Sequence, residues 1–502
     1  MPSNRRRPNA QIMLHDRETN DVPTLGGTMD VTEEYAEKIR ETELNSINIT
    51  LRRDYRNRIL HICKFLEKEF PHYSAIGVKK LTARQRNDRD QFHHNNDRDL
   101  VYKGLNVKFI KAFLTTRKYK SNGQMCCPDH IRKYKDAIVW GSKEAKQPLQ
   151  TEFYIEMKKF LSSHVKETKK GKAQGLLDER EADPFSWALY EKVLKWAIQE
   201  KNLKVWVFTI LQWNCMARSA NIGMLAYHQL ISGEDYIKVH YDKTKADQAG
   251  EKCVDKHLYA NPLQPLVCPF LALAVWFSFE VHRLGKQVNL FGHENRNNRA
   301  PQQNFSYQLS SVLKNHMDTV TNYIRRNHAN AHGIRKGAAT FATSGTTVTP
   351  SVTSVANRGD WSMGHVLDVY WTFSDAQDFF LGRVLCGLDP NKATFATLPP
   401  HFKLEGNLMD DADIKQAMEL MYGPILAAHS ENLEINPTGM LLLLLPSIIH
   451  HSEWIKSVVR DFPGHPFSLI PLFTENELLL RLKEKVCRKF LCSNVNIVDI
   501  SN

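Results

Sequence analysis

The chain has 502 residues, of which 42% are hydrophobic and 24% are charged, values close to those of ordinary globular proteins. This composition excludes a largely disordered chain, a collagen and a coiled-coil rod. The length predicts about three domains.

Positive charge is concentrated in one quarter of the chain. Lys and Arg total 67 against 55 Asp and Glu, which gives a net charge of +12. Between Leu51 and Lys172 there are 29 basic and 13 acidic residues, so this segment carries the whole surplus and the rest is slightly acidic. A basic domain is typical of a protein that binds a phosphate backbone. The alternative is an ordinary solvated helix surface, because Lys and Arg are also common in helices.

Three further patterns bear on compartment and cofactors. The most apolar run, Met440–Leu445, is far shorter than the roughly 20 residues that span a bilayer, and the N-terminal residues lack the apolar core of a secretory signal. We therefore expect no membrane association. The nine cysteines form no CxxC pair, so we expect reduced thiols and no structural zinc. No metal and no cofactor are predicted.

The pattern of the N-terminal third predicts a flexible tail followed by a helical domain. Residues 1–30 are polar and predict a flexible tail. Residues 31–165 predict a helical domain, because apolar residues recur at helical spacing in Thr50–Phe70 and again in Asn106–Thr115 and His130–Trp140. Residues 166–185 are charged and contain two glycines and a proline, which indicates a linker.

The remainder divides into residues 186–390 and an extension, residues 391–502. In the first part, alternation over Tyr236–Tyr241 predicts a half-buried strand. Helices are predicted at Trp187–Ile198, Lys204–Cys215, from Cys268, at Phe305–His316 and at Ile334–Thr343. The extension contains apolar helices and no motif with a known role.

Four short pieces between Arg218 and Tyr370 carry chemistry-bearing side chains. Arg218 begins a helical turn, and Lys243 and Lys245 follow the predicted strand. His332 and Arg335 form an HxxR pattern, whose i, i+3 spacing places both on one helix face. Each feature could also have an ordinary structural role, for example as a capping arginine or a solvated lysine.

The fourth piece is RGDWSMGHVLDVYW, in which Trp361 precedes Tyr370 by nine residues. His365 lies only five residues before Tyr370 and does not meet this spacing. Tyr370 could also be a core aromatic, since its neighbours are apolar. Tyr323 is the next candidate tyrosine, but it precedes the HxxR pattern.

Taken together, the four pieces resemble the active-site motifs of the tyrosine recombinase (phage integrase) family, with the tryptophan used by its Cre branch. RSANIGMLAYHQL is similar to the arginine motif, although Asn221 stands where the family often has an acidic residue. KTKADQAGEK is similar to the β-hairpin turn that holds the family lysine, with Lys245 in register and Lys243 as the alternative. Two other segments, YKDAIVWG and CPFLALAVWF, suggest the Crypton type of mobile-element recombinase.

This resemblance implies catalytic roles for Arg218, Lys245, His332, Arg335, Trp361 and Tyr370. The two arginines would hold the non-bridging oxygens of a DNA phosphodiester. Tyr370 would attack the phosphorus, Lys245 would protonate the leaving 5′-oxygen and His332 would assist proton transfer. Trp361 would pack against the site. Lys169, Lys170, Lys172 and Lys243 are the expected DNA-backbone contacts.

The resemblance also implies a fold and an assembly. It predicts a mostly α protein with a small β-sheet: a helical core-binding domain, a mixed α/β catalytic domain and a helical extension. The expected partner is double-stranded DNA, on which the chain would assemble as a dimer or tetramer. A eukaryotic source would place the protein in the nucleus, any other in the cytoplasm. A type IB topoisomerase and a domesticated DNA-binding protein that no longer cuts are the alternatives.

Overall fold

The computed structural model describes residues 49–82, 97–119, 125–174, 182–242, 254–280, 289–292, 300–325, 328–364, 375–404, 406–429 and 437–487. These residues fall into two compact units, which meet in the chain between Asp178 and Glu179. That boundary lies within the predicted linker.

The first unit is helical, with one two-stranded antiparallel ribbon. Its elements are α1 (Ile49–Glu69), α2 (Pro71–Gly77), β1 (Val78–Lys80), β2 (Arg98–Leu100), α3 (Val107–Thr116), α4 (Pro128–Glu144) and α5 (Thr151–Ala173). The apolar stripe predicted in α1 is buried at Ile59, Ile62, Cys63 and Leu66. These side chains pack against α4 and α3 and form the core of the unit.

Helix α5 runs further than the sequence pattern predicts. It continues to Ala173, so residues 166–173, which the composition assigned to a linker, are helical. The glycine at 171 is buried inside this helix rather than breaking it. Lys169, Lys170 and Lys172 therefore lie on the last turns of α5, and all three are exposed.

The second unit contains a small antiparallel sheet surrounded by helices. Before and within the sheet lie α6 (Trp187–Gln199), α7 (Leu203–Asn214), α8 (Ser219–Gly223), β3 (Leu230–Ser232), β4 (Tyr236–Val239) and β5 (Lys256–Tyr259). After it come α9 (Pro269–Glu280), α10 (Pro301–Asn315), α11 (Met317–Val320), α12 (Ala331–Ser344), α13 (Val352–Arg358) and α14 (Asp375–Leu385). The helices and the strand predicted for this region are confirmed within a few residues.

The sheet has the order β3-β4-β5, and both pairings are antiparallel. Leu230 pairs with Val239, and Val239 pairs with Lys256. Burial alternates along β4, as predicted, whereas β5 is buried at all four positions. Val239 ends β4 and Lys256 begins β5, so this residue pair marks the edge of the sheet from which the two strands are connected.

The residues after 390 belong to the same unit. They form α15 (Ala412–His429), α16 (Thr438–His450), α17 (Ser452–Asp461) and α18 (Asn476–Lys485). Helix α16 continues through Pro446 and packs on α9. Its buried leucines join the hydrophobic core that α7 and α9 form, so the extension completes the core of the second unit.

The described part of the chain is mostly helical with small antiparallel sheets, which confirms the predicted secondary-structure class. In this part of the chain, no helix combines the length and the apolar character that crossing a membrane requires.

Candidate active site

Arg218 is presented by a tight turn at the end of α7. The helix ends at Asn214, and Met216 adopts a left-handed φ of 47°. The Ala217 N–H donates to the Gln212 carbonyl at 3.1 Å, which reverses the chain as in a Schellman cap. Arg218 then has extended backbone and precedes α8. Its Nη1 is buried, and no described residue accepts a hydrogen bond from it.

The HxxR pattern lies in the first turns of α12. The Asn330 side chain caps this helix by accepting from the His332 N–H at 2.8 Å. Gly333 and Gly337 let the helix approach the extended segment 182–186: a Cβ at Gly337 would lie 2.1 Å from the Phe185 carbonyl oxygen. Only glycine fits there, and the close packing fixes the rotation of α12 that turns Arg335 inward.

One buried amide joins the two arginine-bearing segments. The Gln212 Nε2 donates to the Ser219 Oγ at 3.1 Å and to the Ala331 carbonyl at 2.8 Å. Ser219 follows Arg218 and Ala331 begins α12, so this side chain fixes one segment against the other. Gln212 was not singled out in the sequence, since its partner Ala331 is 119 residues away.

Arg335 is almost fully buried and incompletely paired. Its side chain is 2% exposed, and its Nη2 donates to the Gly359 carbonyl. Its Nη1 is buried, and none of the described residues accepts from it. Burial, followed by repulsion from the Arg218 charge, lowers the pKa of Arg335 from 12.5 to about 10. The fold therefore places two guanidinium groups close enough to repel each other.

Trp361 lies against the Arg335 guanidinium. The guanidinium carbon is 5.3 Å from the centre of the indole ring, in a cation–π contact. The ring also covers Gly359, where a Cβ would come within 2.8 Å of it. Trp361 remains 40% exposed, so one face of the contact is open to solvent. The turn 359–361 thus supplies both a hydrogen-bond acceptor and an aromatic ring to Arg335.

His332 is exposed at the same end of α12. Partial desolvation lowers the pKa of its imidazole, and the charges of Lys336, Arg335 and Arg218 lower it further. A lowered pKa keeps the ring neutral near pH 7, the state in which it can accept a proton. The charges of Arg218 and Arg335 therefore both act on His332, and Trp361 contacts Arg335.

A buried ion pair lies behind this group. The Lys256 Nζ is 2.8 Å from the Asp360 Oδ1, and the lysine side chain is fully buried. Asp360 has a left-handed φ of 49°, which a non-glycine residue rarely adopts. Its charge also acts on Arg335. Lys256 and Asp360 lie 104 residues apart, so no local sequence pattern could have indicated the pair.

A second buried network supports the same segments. Arg358 donates from Nη2 to the Asn214 carbonyl at 2.8 Å and to the His257 carbonyl at 2.9 Å. Its Nη1 lies 2.5 Å from the Asp378 carboxylate, an ion pair rather than a well-aligned hydrogen bond. Burial opposes ionisation of Asp378, but Arg358 and the His257 ring at 2.8 Å outweigh it and lower the carboxyl pKa. Arg358 therefore joins the end of α7, strand β5 and helix α14.

Three predicted site residues lie outside the described residues. Lys243 and Lys245 belong to the connection between β4 and β5, and Tyr370 belongs to the connection between Gly364 and α14. Their roles remain predictions. The next tyrosine candidate, Tyr323, is half-buried, with the Lys192 ammonium 5.8 Å from its ring centre.

Three basic residues of α18 are engaged with carboxylates. The Arg481 Nε is 2.9 Å from Asp413, and the Lys483 Nζ is 2.6 Å from Glu453. Lys485 lies 2.7 Å from Asp411 and from Asp413. These ion pairs occupy all three of the named basic side chains.

The arrangement is chemically suited to an anion with several oxygens. Two guanidinium groups have unused N–H donors, their charges act on a neutral imidazole, and a partly exposed indole contacts one of them. Planar guanidinium groups bind such oxygens in pairs. In the described part of the chain, no cluster of His, Cys, Asp and Glu could hold a metal ion. No protein-family model matches the chain, and a search of curated proteins finds no match either.

Proposed function

We propose that the chain is a site-specific DNA recombinase of the tyrosine recombinase type, which cleaves and rejoins duplex DNA through a 3′-phosphotyrosine intermediate. The observation that carries the proposal is the pair of arginines, Arg218 and Arg335, each with a buried N–H group that no described residue accepts. A buried unpaired donor and a nearby like charge are both costly. A bound phosphodiester would relieve both costs at once.

The chemistry follows from the residue types around that phosphate. The Tyr370 oxygen would form a bond to phosphorus while the bond from phosphorus to the 5′-oxygen breaks. The tyrosine proton would pass to His332, and Lys245 would give a proton to the leaving 5′-oxygen. The phosphoryl group would then be held as an ester on Tyr370, so the bond energy is kept and the reverse step with a new 5′-hydroxyl needs no ATP.

The pentavalent transition state gains negative charge on its non-bridging oxygens. Arg218 and Arg335 would stabilise this charge, each by about 3–4 kcal/mol if they act as oxyanion-hole donors do. The indole of Trp361 lies over Arg335 and would limit its rotation, and its N–H is a further donor toward the phosphate. These contributions come from groups that are already oriented before DNA binds.

The proposal includes a DNA-binding mode. Lys169, Lys170 and Lys172 are exposed on the last turns of α5 and would contact backbone phosphates. Joining two sites requires more than one protomer, so assembly as a dimer or tetramer on DNA is part of the proposal. Action in the nucleus is expected if the source is eukaryotic.

A suicide-substrate assay tests the proposed activity. The full chain is incubated with nicked duplex fragments of its source genome, and a protein–DNA adduct that resists denaturation is scored. We expect an adduct with the unmodified chain and with Tyr323→Phe, the matched control, and none with Tyr370→Phe. An adduct that persists in Tyr370→Phe contradicts the assignment of the nucleophile.

Two other outcomes would favour the alternatives. Relaxation of a supercoiled plasmid without any product that joins two sites would favour a type IB topoisomerase. DNA binding without an adduct on any fragment would favour a binding protein that no longer cuts.

A further inference from the structure

Asp360 is an acidic side chain placed where it could block the arginine pair. Its negative charge acts on Arg335 and works to raise that guanidinium's pKa. The neighbouring Gly359 carbonyl already accepts a hydrogen bond from the Arg335 Nη2. A carboxylate next to this carbonyl in the chain would be a strong partner for the unused Nη1 of Arg335. Such a pair would occupy the donor that the proposed phosphate needs.

The structure holds that carboxylate elsewhere. The Asp360 Oδ1 accepts from the Lys256 Nζ at 2.8 Å. Its Oδ2 is buried and receives no hydrogen bond from a described residue. The residue keeps a left-handed φ of 49°, a conformation that costs an aspartate free energy and persists only when its surroundings fix it. Lys256 is the cation that compensates for this cost.

Lys256 is itself closed off from any substrate. Its side chain is 0% exposed, and its ammonium lies 5.6 Å from the centre of the buried Tyr241 ring. It sits at the first position of β5, where its backbone is paired with Val239. A lysine enclosed in this way can neither contact DNA nor protonate a leaving group, so its role differs from the one proposed for Lys245.

We propose that Lys256 is a positioning residue that holds the Asp360 carboxylate away from Arg335 and so leaves the buried Arg335 Nη1 without an internal partner, available to a phosphate oxygen. This inference rests on the proposed function of the arginine pair. Without the lysine, the Asp360 carboxylate would lose its cation, and an internal Arg335–Asp360 pair would compete with the substrate phosphate.

Phosphate binding by charge variants tests this role. Inorganic phosphate is titrated into the full chain at low ionic strength and followed by calorimetry. We expect Lys256→Met to bind phosphate about tenfold more weakly or worse, because a charge-assisted hydrogen bond is lost to the internal pair. The double variant Lys256→Met/Asp360→Asn lacks the competing carboxylate, and its affinity should return to within about threefold of the unmodified chain.

Two further variants separate positioning from general damage. Lys204→Met is the matched control: Lys204 is buried in the same unit, 3.5 Å from the Phe291 carbonyl, and its loss should leave phosphate affinity unchanged. Asp360→Asn keeps the size of the side chain and should bind phosphate at least as tightly as the unmodified chain. This variant also decides the question if Lys256→Met does not fold, since weaker binding by Asp360→Asn overturns the inference.

The remaining outcomes distinguish this inference from the proposed function. If the unmodified chain binds phosphate and Lys256→Met binds it equally well, the positioning role is wrong while the recombinase proposal stands. If the double variant stays as weak as Lys256→Met, the lysine acts through general structure and the inference fails. If the unmodified chain binds no phosphate, both fail.

Discussion

Two buried arginines of the second unit should respond very differently to the same substitution. Arg358 is 0% exposed, donates to two carbonyls and forms an ion pair with the Asp378 carboxylate. Arg335 is 2% exposed, but it has an unused N–H group and lies beside the Arg218 charge. We predict that Arg358→Met strongly destabilises the fold, whereas Arg335→Met leaves its stability nearly unchanged and abolishes the proposed DNA adduct.

The magnitude for Arg335 follows from its surroundings. Its pKa of about 10, against the ordinary 12.5, corresponds to about 3 kcal/mol of unfavourable free energy in the folded state, at roughly 1.4 kcal/mol per pH unit. Substitution relieves this cost. It also removes a hydrogen bond from a charged donor to Gly359, about 1.5–3 kcal/mol, and the contact with Trp361, about 0.5–1 kcal/mol. The relieved cost and the lost contacts nearly cancel, so Arg335→Met should change the free energy of unfolding by no more than about 1 kcal/mol.

Arg358 has no such compensation. Its removal leaves the Asp378 carboxylate buried with only the His257 partner, and breaking a buried ion pair in this way costs about 3–5 kcal/mol. Urea denaturation at pH 7 measures both free energies of unfolding. If Arg335→Met destabilises the chain as much as Arg358→Met does, the idea of an electrostatically strained arginine pair is refuted.

Four further substitutions have defined outcomes. Arg218→Lys should slow adduct formation by about a hundredfold, because an ammonium cannot hold two phosphate oxygens as a guanidinium does; a rate within a few-fold of normal would contradict this. Gly337→Ala should lower the free energy of unfolding by about 1–3 kcal/mol in urea titrations, because the new Cβ would lie 2.1 Å from the Phe185 carbonyl oxygen. At Gly423 a Cβ would meet no atom within 4 Å, so Gly423→Ala should stabilise α15 by about 0.5–1 kcal/mol. Burial, with the His450 charge, lowers the pKa of His451 to about 3. Below about pH 6.5 the His451 ring therefore binds a proton in the unfolded chain but not in the folded chain, and the free energy of unfolding should fall by about 2 kcal/mol between pH 6.5 and 5. His451→Gln should remove this dependence of stability on pH. If stability depends on pH in the same way in His451→Gln as in the unmodified chain, the His451 ring is not held neutral by the fold.

Local sequence pattern was sufficient for most helices. The spacing of Ile59, Ile62 and Leu66 defines the buried face of α1, and the HxxR spacing lies in the first turns of α12 as expected. His332 and Arg335 nevertheless differ: the histidine is exposed and the arginine is buried. Helical spacing gives a common face, but the depth at which each side chain lies depends on what packs against the helix.

The supporting residues could not be found from the sequence because their partners are distant in the chain. Arg358 is 144 residues from Asn214, and His257 is 121 residues from Asp378. The linker predicted at residues 166–185 begins too early, because residues 166–173 are helical. The charged and glycine-containing composition of residues 166–173 suggested a break, but packing of α5 in its unit keeps them helical.

The most direct test of the central claim is to identify the residue that carries DNA. An adduct formed on a nicked fragment is denatured, digested with nuclease and trypsin, and analysed by mass spectrometry. The tryptic peptide 359–383 contains Tyr370 as its only tyrosine. We predict that this peptide carries a nucleotide joined through its 3′-phosphate to Tyr370. A nucleotide on any other residue, or DNA that binds but never becomes attached to a peptide, would contradict the account.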